Sequence, residues 1–292
     1  MRNADQLASP GRGPGEPRGT QAHPAPLAPA TFESLRELLH VETGIFLAPR
    51  KLTMVQSRLN KRLRALGLTS FDDYLDQLQT HPQGEEASNF INALTTNLTR
   101  FFREEHHFQK LVSWLQGLRP LPRPIRVWSA GCSTGEEPYS IAMSLRRAFP
   151  AADLRILATD LDSEVLKVAM AGIYDRERVK DLDPELLRFA FLRGRGGQDG
   201  CVRVREDLRG LVAFSQFNLL QPDWPKVGGY EAVFCRNVMI YFDPATQREL
   251  IGRFHRTLAP WGLLFVGHSE SLLDPSLGFE PLGRTAFQRR AR

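Results

Sequence analysis

The chain has 292 residues, 42% of them hydrophobic, enough for one large domain and a smaller companion. Its net charge of +5 and pI near 9.3 give a mild basic bias, which permits an acidic partner without naming one. Three widely spaced cysteines (Cys132, Cys201, Cys235) argue against a disulfide framework and fit a reducing cytoplasm. No apolar run is long enough to span a membrane, the N-terminus lacks a signal core, and no CxxC or HExxH spacing points to a metal.

Residues 1–30 hold six prolines and four glycines with few large apolar side chains, and are expected to form a disordered tail. From Thr31, the expected cap, the pattern turns helical, with Phe32, Leu35, Leu38 and Leu39 on one face. Residues 51–66 give a second helix, with Leu52, Val55, Leu59, Leu63 and Leu66 inward. Its other face carries Arg50, Lys51, Arg58, Lys61, Arg62 and Arg64, without one acid between 50 and 64. Such a face is either solvated or a docking surface; charge of a single sign favours docking to an acidic partner. Ser70, with Asp73 three residues on, opens a third helix that turns Phe71, Tyr74, Leu75 and Leu78 inward. A fourth helix covers about 85–95.

Next comes Asn97-Leu-Thr-Arg-Phe-Phe-Arg103-Glu, read as a lid with polar groups toward a ligand and Phe101–Phe102 as its anchor. A capped helix with a buried phenylalanine pair is the simpler alternative. Helix 104–118 follows, with Phe108, Leu111, Trp114 and Leu115 inward, closing an all-α domain over 31–118. Pro120, Pro122 and Pro124 stiffen a linker over 119–124.

The stretch Arg126–Ser140, RVWSAGCSTGEEPYS, reads as a buried strand, a turn of small residues and the acidic start of a helix. With no bulky side chain in the turn, a ligand can approach the backbone closely. The G-x-x-x-x-G-K-[ST] pattern is missing, and Glu136 and Glu137 occupy the place where a phosphate would dock. Those carboxylates favour ammonium or sulfonium charge instead. A second strand, 154–159, ends in Asp160, a position that commonly binds ribose hydroxyls in nucleotide-binding sheets. Together the features suggest S-adenosylmethionine.

Beyond a helix over 162–171, residues 177–205 break the βαβ rhythm. They read as a β-hairpin insertion with a glycine-rich turn that includes Gly194, Gly196 and Gly197. Strands 211–217 and 230–235 end in Asn218–Leu219 and Arg236–Asn237, so Asp160, Asn218, Arg236 and Asn237 should converge at one edge of the sheet. A helix over 244–258 and strands 262–267 and 285–289 complete the chain.

Gly131-Cys-Ser133-Thr-Gly135 also fits the G-x-S-x-G turn of a serine hydrolase, with Asp160 and His268 following in order. Against it, only one strand precedes the turn, whereas the hydrolase elbow comes later in its sheet. Two further alternatives are a nucleic-acid methyltransferase, suggested by the pI, and a regulatory module that binds cofactor without activity.

The motifs NLTRFFRE (97–104), SAGCSTGEEPYSIA (129–142), ATDLD (158–162), FNLL (217–220), FCRNVMIYF (234–242) and LLFVGHSE (263–270) closely resemble those of the chemotaxis receptor glutamate methyltransferases, the CheR family. The resemblance runs from about Phe32 to Arg289. The family's usual Asn-Glu-Thr-x-Phe-Phe-Arg has Leu98 in place of Glu here.

The resemblance implies an α/β fold: a Rossmann-like class I methyltransferase domain over 125–292 with an inserted antiparallel β-subdomain, preceded by a small all-α domain. It implies methyl transfer from S-adenosylmethionine to glutamates on cytoplasmic chemoreceptor helices by a cytoplasmic enzyme, expected to be a monomer, leaving S-adenosylhomocysteine. Cofactor contacts carried over by motif fall on Asn97, Thr99, Arg103, Glu136, Asp160, Asn218, Leu219, Arg236 and Asn237, with Glu136 preferred to Glu137. Arg103 and Tyr241 carry the catalytic expectation, the latter beside the transferred methyl. Some members hold a receptor-tail peptide on the β-subdomain, which would involve Gly194, Gly196 and Gly197. The basic face at 50–64 would meet the receptor's glutamate-rich helices.

Overall fold

A computed structural model describes residues 24–224, 229–270, 275–283 and 285–290. Helices α1 (Pro29–Thr43), α2 (Leu52–Leu66), α3 (Phe71–Thr80) and α4 (Glu85–Leu94) pack their apolar faces into one core, with Leu35, Leu39, Leu59, Leu63, Tyr74 and Phe90 at its centre. Ser70 caps α3 as expected, its Oγ accepting from the N–H groups of Asp72 (3.1 Å) and Asp73 (3.4 Å).

Two expectations at the N-terminus change. Helix α1 starts at Pro29, with its ring at the first helical position, where no N–H is needed. Thr31 therefore lies inside the helix, and its hydroxyl donates to Asp72 Oδ1 at 2.5 Å, tying α1 to α3. Residues 1–23 of the expected tail lie outside the described residues, but the following stretch is anchored at Ala25 and Leu27. Leu27 is buried and its N–H donates to Gln56 Oε1, while Ala25 N–H donates to the Thr69 carbonyl.

The all-α unit also ends earlier than residue 118. Helix α5 (His106–Gly117) buries Phe108, Leu111 and Leu115 in a different core, with Val127, Ile141 and Phe234 of the sheet layer. Its apolar periodicity shows that one face is buried but not against which layer.

The main sheet contains β1 (Ile125–Ala130), β2 (Leu154–Asp160), β6 (Val212–Gln216), β7 (Tyr230–Cys235), β8 (Leu258–Val266), β9 (Phe279–Pro281) and β10 (Ala286–Arg289). Its order is β6-β2-β1-β7-β8-β10-β9; the first five are parallel, and β10 runs antiparallel to both β8 and β9. Helices α6 (Glu136–Ala148), α7 (Ser163–Ala171) and α10 (Pro244–Thr257) provide crossovers. From β1 the chain winds outward to β2 and β6, then returns to β7 on the other side. Ligands of open α/β sheets bind at the carboxyl ends of strands flanking such a reversal.

Between α7 and β6 lies the accessory sheet, β3 (Ile173–Asp175), β4 (Phe191–Arg193) and β5 (Cys201–Val204), with α8 (Pro184–Ala190) and α9 (Glu206–Arg209) beside it. It has three antiparallel strands in the order β3-β5-β4, not a lone hairpin, and it begins at Ile173 rather than near residue 177. Gly172, at φ 61°, ends α7 and turns the chain straight into β3, a strand too short to show alternation. Cys132 and Cys235 are buried, and burial pushes both thiols well above their ordinary pKa; Cys201, on β5, is partly exposed.

Candidate active site

The turn after β1 is built to sit close against its neighbours. Gly131 has φ 88°, and a Cβ there would come within 2.3 Å of Val238 Cγ2. The N–H groups of Gly131 and Cys132 both donate to the Thr159 carbonyl (2.8 and 2.9 Å), which folds the turn over the end of β2. Asp160 closes the arrangement: its Oδ2 accepts from Ser133 N–H at 2.7 Å and its Oδ1 from Asp162 N–H at 3.0 Å. Burial nevertheless raises its pKa, because these backbone bonds only partly replace water around the charge.

Above this turn, between the helical bundle and the carboxyl ends of the strands, lies a cavity of about 600 Å³. Of the sequence-predicted residues, Asn97, Thr99, Arg103, Asp160, Asn218, Leu219, Arg236, Asn237 and Tyr241 all line it. The 97–103 segment is stitched to the sheet: Asn97 Nδ2 donates to Asp162 Oδ2 (2.7 Å), and the Asn97 carbonyl accepts from Ser133 Oγ (3.1 Å). Arg103 Nη1 donates to the Leu98 carbonyl (2.9 Å), curling the segment on itself. Asn218 joins the two halves, donating to the Glu42 carbonyl (2.9 Å) at the end of α1 and accepting from Leu220 N–H (2.9 Å). The Tyr241 carbonyl accepts from Phe46 N–H (2.8 Å), a second link between the sheet side and the bundle.

Arg236 is the electrostatic centre. Its side chain is 2% exposed, donates to Glu137 Oε2 at 3.0 Å and to the Arg103 carbonyl, and faces Glu104 Oε2 at 3.5 Å. Its guanidinium also lies over the Phe108 ring. One buried cation thus holds the 97–104 segment, α6 and α5 together.

Glu136, the residue preferred from sequence, does not line the cavity. Glu136 is fully buried, accepts from Thr134 Oγ1 (2.6 Å) and pairs with Arg178 beside the accessory sheet, away from the cavity. Glu137 lines the cavity, accepting from Ser129 Oγ at 2.7 Å as well as from Arg236. Consecutive helical residues point about 100° apart, so only one of an adjacent pair can face a given side. Burial raises the pKa of Glu137, and Arg236 opposes the shift. Sequence reasoning also missed Glu104 and Glu270. The Glu270 carboxylate accepts from the N–H groups of Asn237 (2.8 Å), Gly267 (2.6 Å) and Ile240 (3.2 Å), fixing the loop after β7. Both acids lie in the motifs NLTRFFRE and LLFVGHSE, which was the available signal.

The basic face divides into two groups. Arg58 Nη1 donates to the carbonyls of Ala93 (3.3 Å), Leu94 (3.0 Å) and Thr95 (2.6 Å), closing the C-terminus of α4. Arg62 grips Glu86 through Nε (3.0 Å) and Nη2 (2.5 Å), and Tyr74 donates to the same carboxylate at 2.7 Å. These two expected docking residues are therefore bracing groups inside the bundle. Arg50, Lys51, Lys61 and Arg64 are exposed without a carboxylate partner among the described residues, and Arg50 and Lys51 reach the cavity wall.

The hydrolase geometry is not assembled. Ser133 Oγ is spent on the Asn97 carbonyl, and Asp160 binds backbone amides. His268 lies beside Glu104 and His106.

A seven-stranded sheet of this topology, with a cavity at its reversal point and acids at the ends of neighbouring elements, defines a class I methyltransferase. The family model "CheR methyltransferase, all-alpha domain" matches residues 30–95, and "CheR methyltransferase, SAM binding domain" matches 97–287. The chain is 46% identical to the chemotaxis protein methyltransferase of Escherichia coli K12, over 89% of this chain and 91% of that protein. It is 47% identical to chemotaxis protein methyltransferase 2 of Pseudomonas aeruginosa PAO1 (88% and 91%) and 37% identical to a probable chemotaxis protein methyltransferase of Rhizobium etli (86% and 96%). The chain belongs to the CheR methyltransferase family, and its cofactor is S-adenosylmethionine.

The cavity suits that cofactor chemically. Glu137 and Asp160 would offer carboxylate acceptors to a ligand's cationic and hydroxyl groups.

Proposed function

We propose that the protein methylates glutamate side chains on the cytoplasmic helices of a chemoreceptor, forming glutamate methyl esters and S-adenosylhomocysteine. The observation that carries this reading is the polarity of the cavity. Asp160 and the Arg236-paired Glu137 lie in its interior, while Arg50, Lys51 and Arg100, exposed and without a carboxylate partner among the described residues, stand along its wall. The two interior carboxylates can meet a cationic donor beside Arg236; a cationic opening favours a carboxylate-rich acceptor.

When bound, the cofactor supplies a methyl group on a cationic sulfur. A glutamate carboxylate, with a reference pKa of about 4.3, is already ionised at neutral pH, so no general base is required. Its oxygen forms the new bond to carbon, and the electron pair of the broken bond returns to sulfur. The chain's work is alignment, which can supply on the order of 7–11 kcal/mol. In this scheme Asn97, Thr99, Glu137, Asp160, Asn218, Leu219, Arg236 and Asn237 hold the cofactor. Arg103 steers the incoming carboxylate, and Tyr241 shapes the methyl site. In this scheme the working unit is a monomer, and the receptor's cytoplasmic helices would make the cytoplasm its compartment.

In the same reading the accessory sheet tethers the receptor's C-terminal peptide. Strand β4 is at the edge of that sheet, and an edge strand presents backbone groups to an added strand. The turn after it includes exposed Gly196 and Gly197. Gly194 has a turn-making reason of its own, since a Cβ there would meet the Gln198 carbonyl oxygen at 2.0 Å.

The test is methyl transfer from labelled cofactor to membranes with and without chemoreceptor. Base-labile label on a receptor-sized band is the expected result; label on nucleic acid, or none on receptor, overturns the reading.

A further inference from the structure

Large apolar side chains scattered singly over a surface need no explanation, but several meeting at one opening do. Phe46, Leu98 and Ile240 are 55%, 80% and 49% exposed, and all three line the cavity between bundle and sheet. They come from three separate parts of the chain: the α1–α2 connection, the lid segment and the loop after β7. Each is held by the framework of the site. Phe46 N–H donates to the Tyr241 carbonyl (2.8 Å), Ile240 N–H to Glu270 Oε1 (3.2 Å), and the Leu98 carbonyl accepts from Arg103 (2.9 Å). The Arg36 guanidinium further braces the Phe46 ring. Their exposure is thus fixed into the fold. Arg50, Lys51 and Arg100, exposed and without a carboxylate partner among the described residues, line the same cavity.

We infer that Phe46, Leu98 and Ile240 form an apolar rim that recognises an amphipathic helix by the apolar side chains next to its accepting glutamate. On a helix, residues three and four positions away lie on the same face, about 5–6 Å apart. A glutamate reaching into the cavity therefore brings those neighbours to its mouth. The adjacent cations meet the flanking acids of the same helix, so charge attracts the partner and the rim sets which glutamate enters. The inference rests on the proposed methylation of receptor glutamates and specifies what distinguishes an accepted glutamate from others.

The test compares wild type with a variant carrying Phe46→Ser, Leu98→Ser and Ile240→Ser, and with Leu98→Ser alone, the most exposed position and the least able to disturb folding. With three apolar contacts losing their burial, KM for a receptor cytoplasmic fragment should rise roughly tenfold or more in the triple variant. Cofactor affinity by calorimetry should not change. Receptor fragments with serine in place of the apolar residues three and four positions from the methylated glutamates should raise KM for wild type, yet add nothing in the triple variant. An unchanged receptor KM, or a loss of cofactor affinity in the single variant, overturns the rim while leaving receptor methylation standing. Failure of wild type to label the fragment at all overturns the methylation reading itself.

Discussion

In the proposed scheme, the buried pair of Arg236 and Glu137 would serve cofactor binding at the expense of ionisation. Burial raises the pKa of Glu137 and of Asp160, so both hold their protons to higher pH than ordinary carboxyls do. A cationic ligand binds the ionised forms, and protonation removes its attraction. Cofactor affinity should therefore weaken as pH falls, with a midpoint above the usual carboxylate values of about 3.9–4.3. Glu137→Gln should weaken cofactor binding about tenfold to a hundredfold by calorimetry, since a charged hydrogen bond contributes about 1.5–3 kcal/mol. Glu136→Gln should leave cofactor affinity near wild type, because that carboxylate serves Thr134 and Arg178. Equal losses in both variants would contradict the assignment. The strand-end rule found Asp160, Asn218, Arg236 and Asn237 in the sequence because the end of a strand is a local feature. The choice between Glu136 and Glu137 depends on helix phase to within one residue, which the pattern of side chains does not fix.

At the scale of elements, α2 has one sign of charge and two kinds of work. Arg58 closes α4 and Arg62 anchors Glu86, whereas Lys61 and Arg64 are exposed, without a carboxylate partner among the described residues. Arg58→Ala should destabilise the fold by about 1.5–3 kcal/mol in urea unfolding, the usual worth of hydrogen bonds to a charged group. Reversing Lys61 and Arg64 to glutamate should leave stability within about 0.5 kcal/mol. The reversal should also slow receptor methylation at low salt and flatten its salt dependence. If the reversed variant methylates at the wild-type rate in low salt, α2 plays no part in docking. Helix periodicity made α1 to α4 legible, and Ser70 gave the start of α3. Periodicity did not reveal that the arginine side chains of α2 reach α4, nor that α5 belongs to the sheet's core. Strands β3 and β9 are three residues each, too short for alternation to mark them.

For the whole molecule, the cavity belongs to neither half alone. Thr43 to Met54 of the bundle, the 94–103 segment and the strand ends each supply part of its wall. Ligand binding should therefore stabilise bundle and sheet together. Saturating cofactor at a hundred times Kd should add about 2.7 kcal/mol to unfolding and raise a single cooperative Tm. A transition that splits, with only the sheet protected, would mean that the bundle does not share the ligand. Strand order, the reversal at β1 and β7 and the closure of the cavity all depend on long-range pairing. Residue patterns alone suggested a βαβ rhythm with strand ends gathered at one edge of a sheet, and the family resemblance supplied the rest of the architecture.

The distribution of sulfur offers a practical handle. Cys132 and Cys235 are sealed in the interior with their thiols held protonated, while Cys201 meets solvent on the middle strand of the accessory sheet. A maleimide fluorophore added to the native enzyme therefore attaches at a single place, far along the chain from the lid and without any engineered cysteine. Its emission would report occupancy of the outlying sheet independently of turnover, separating capture of the receptor from chemistry on it.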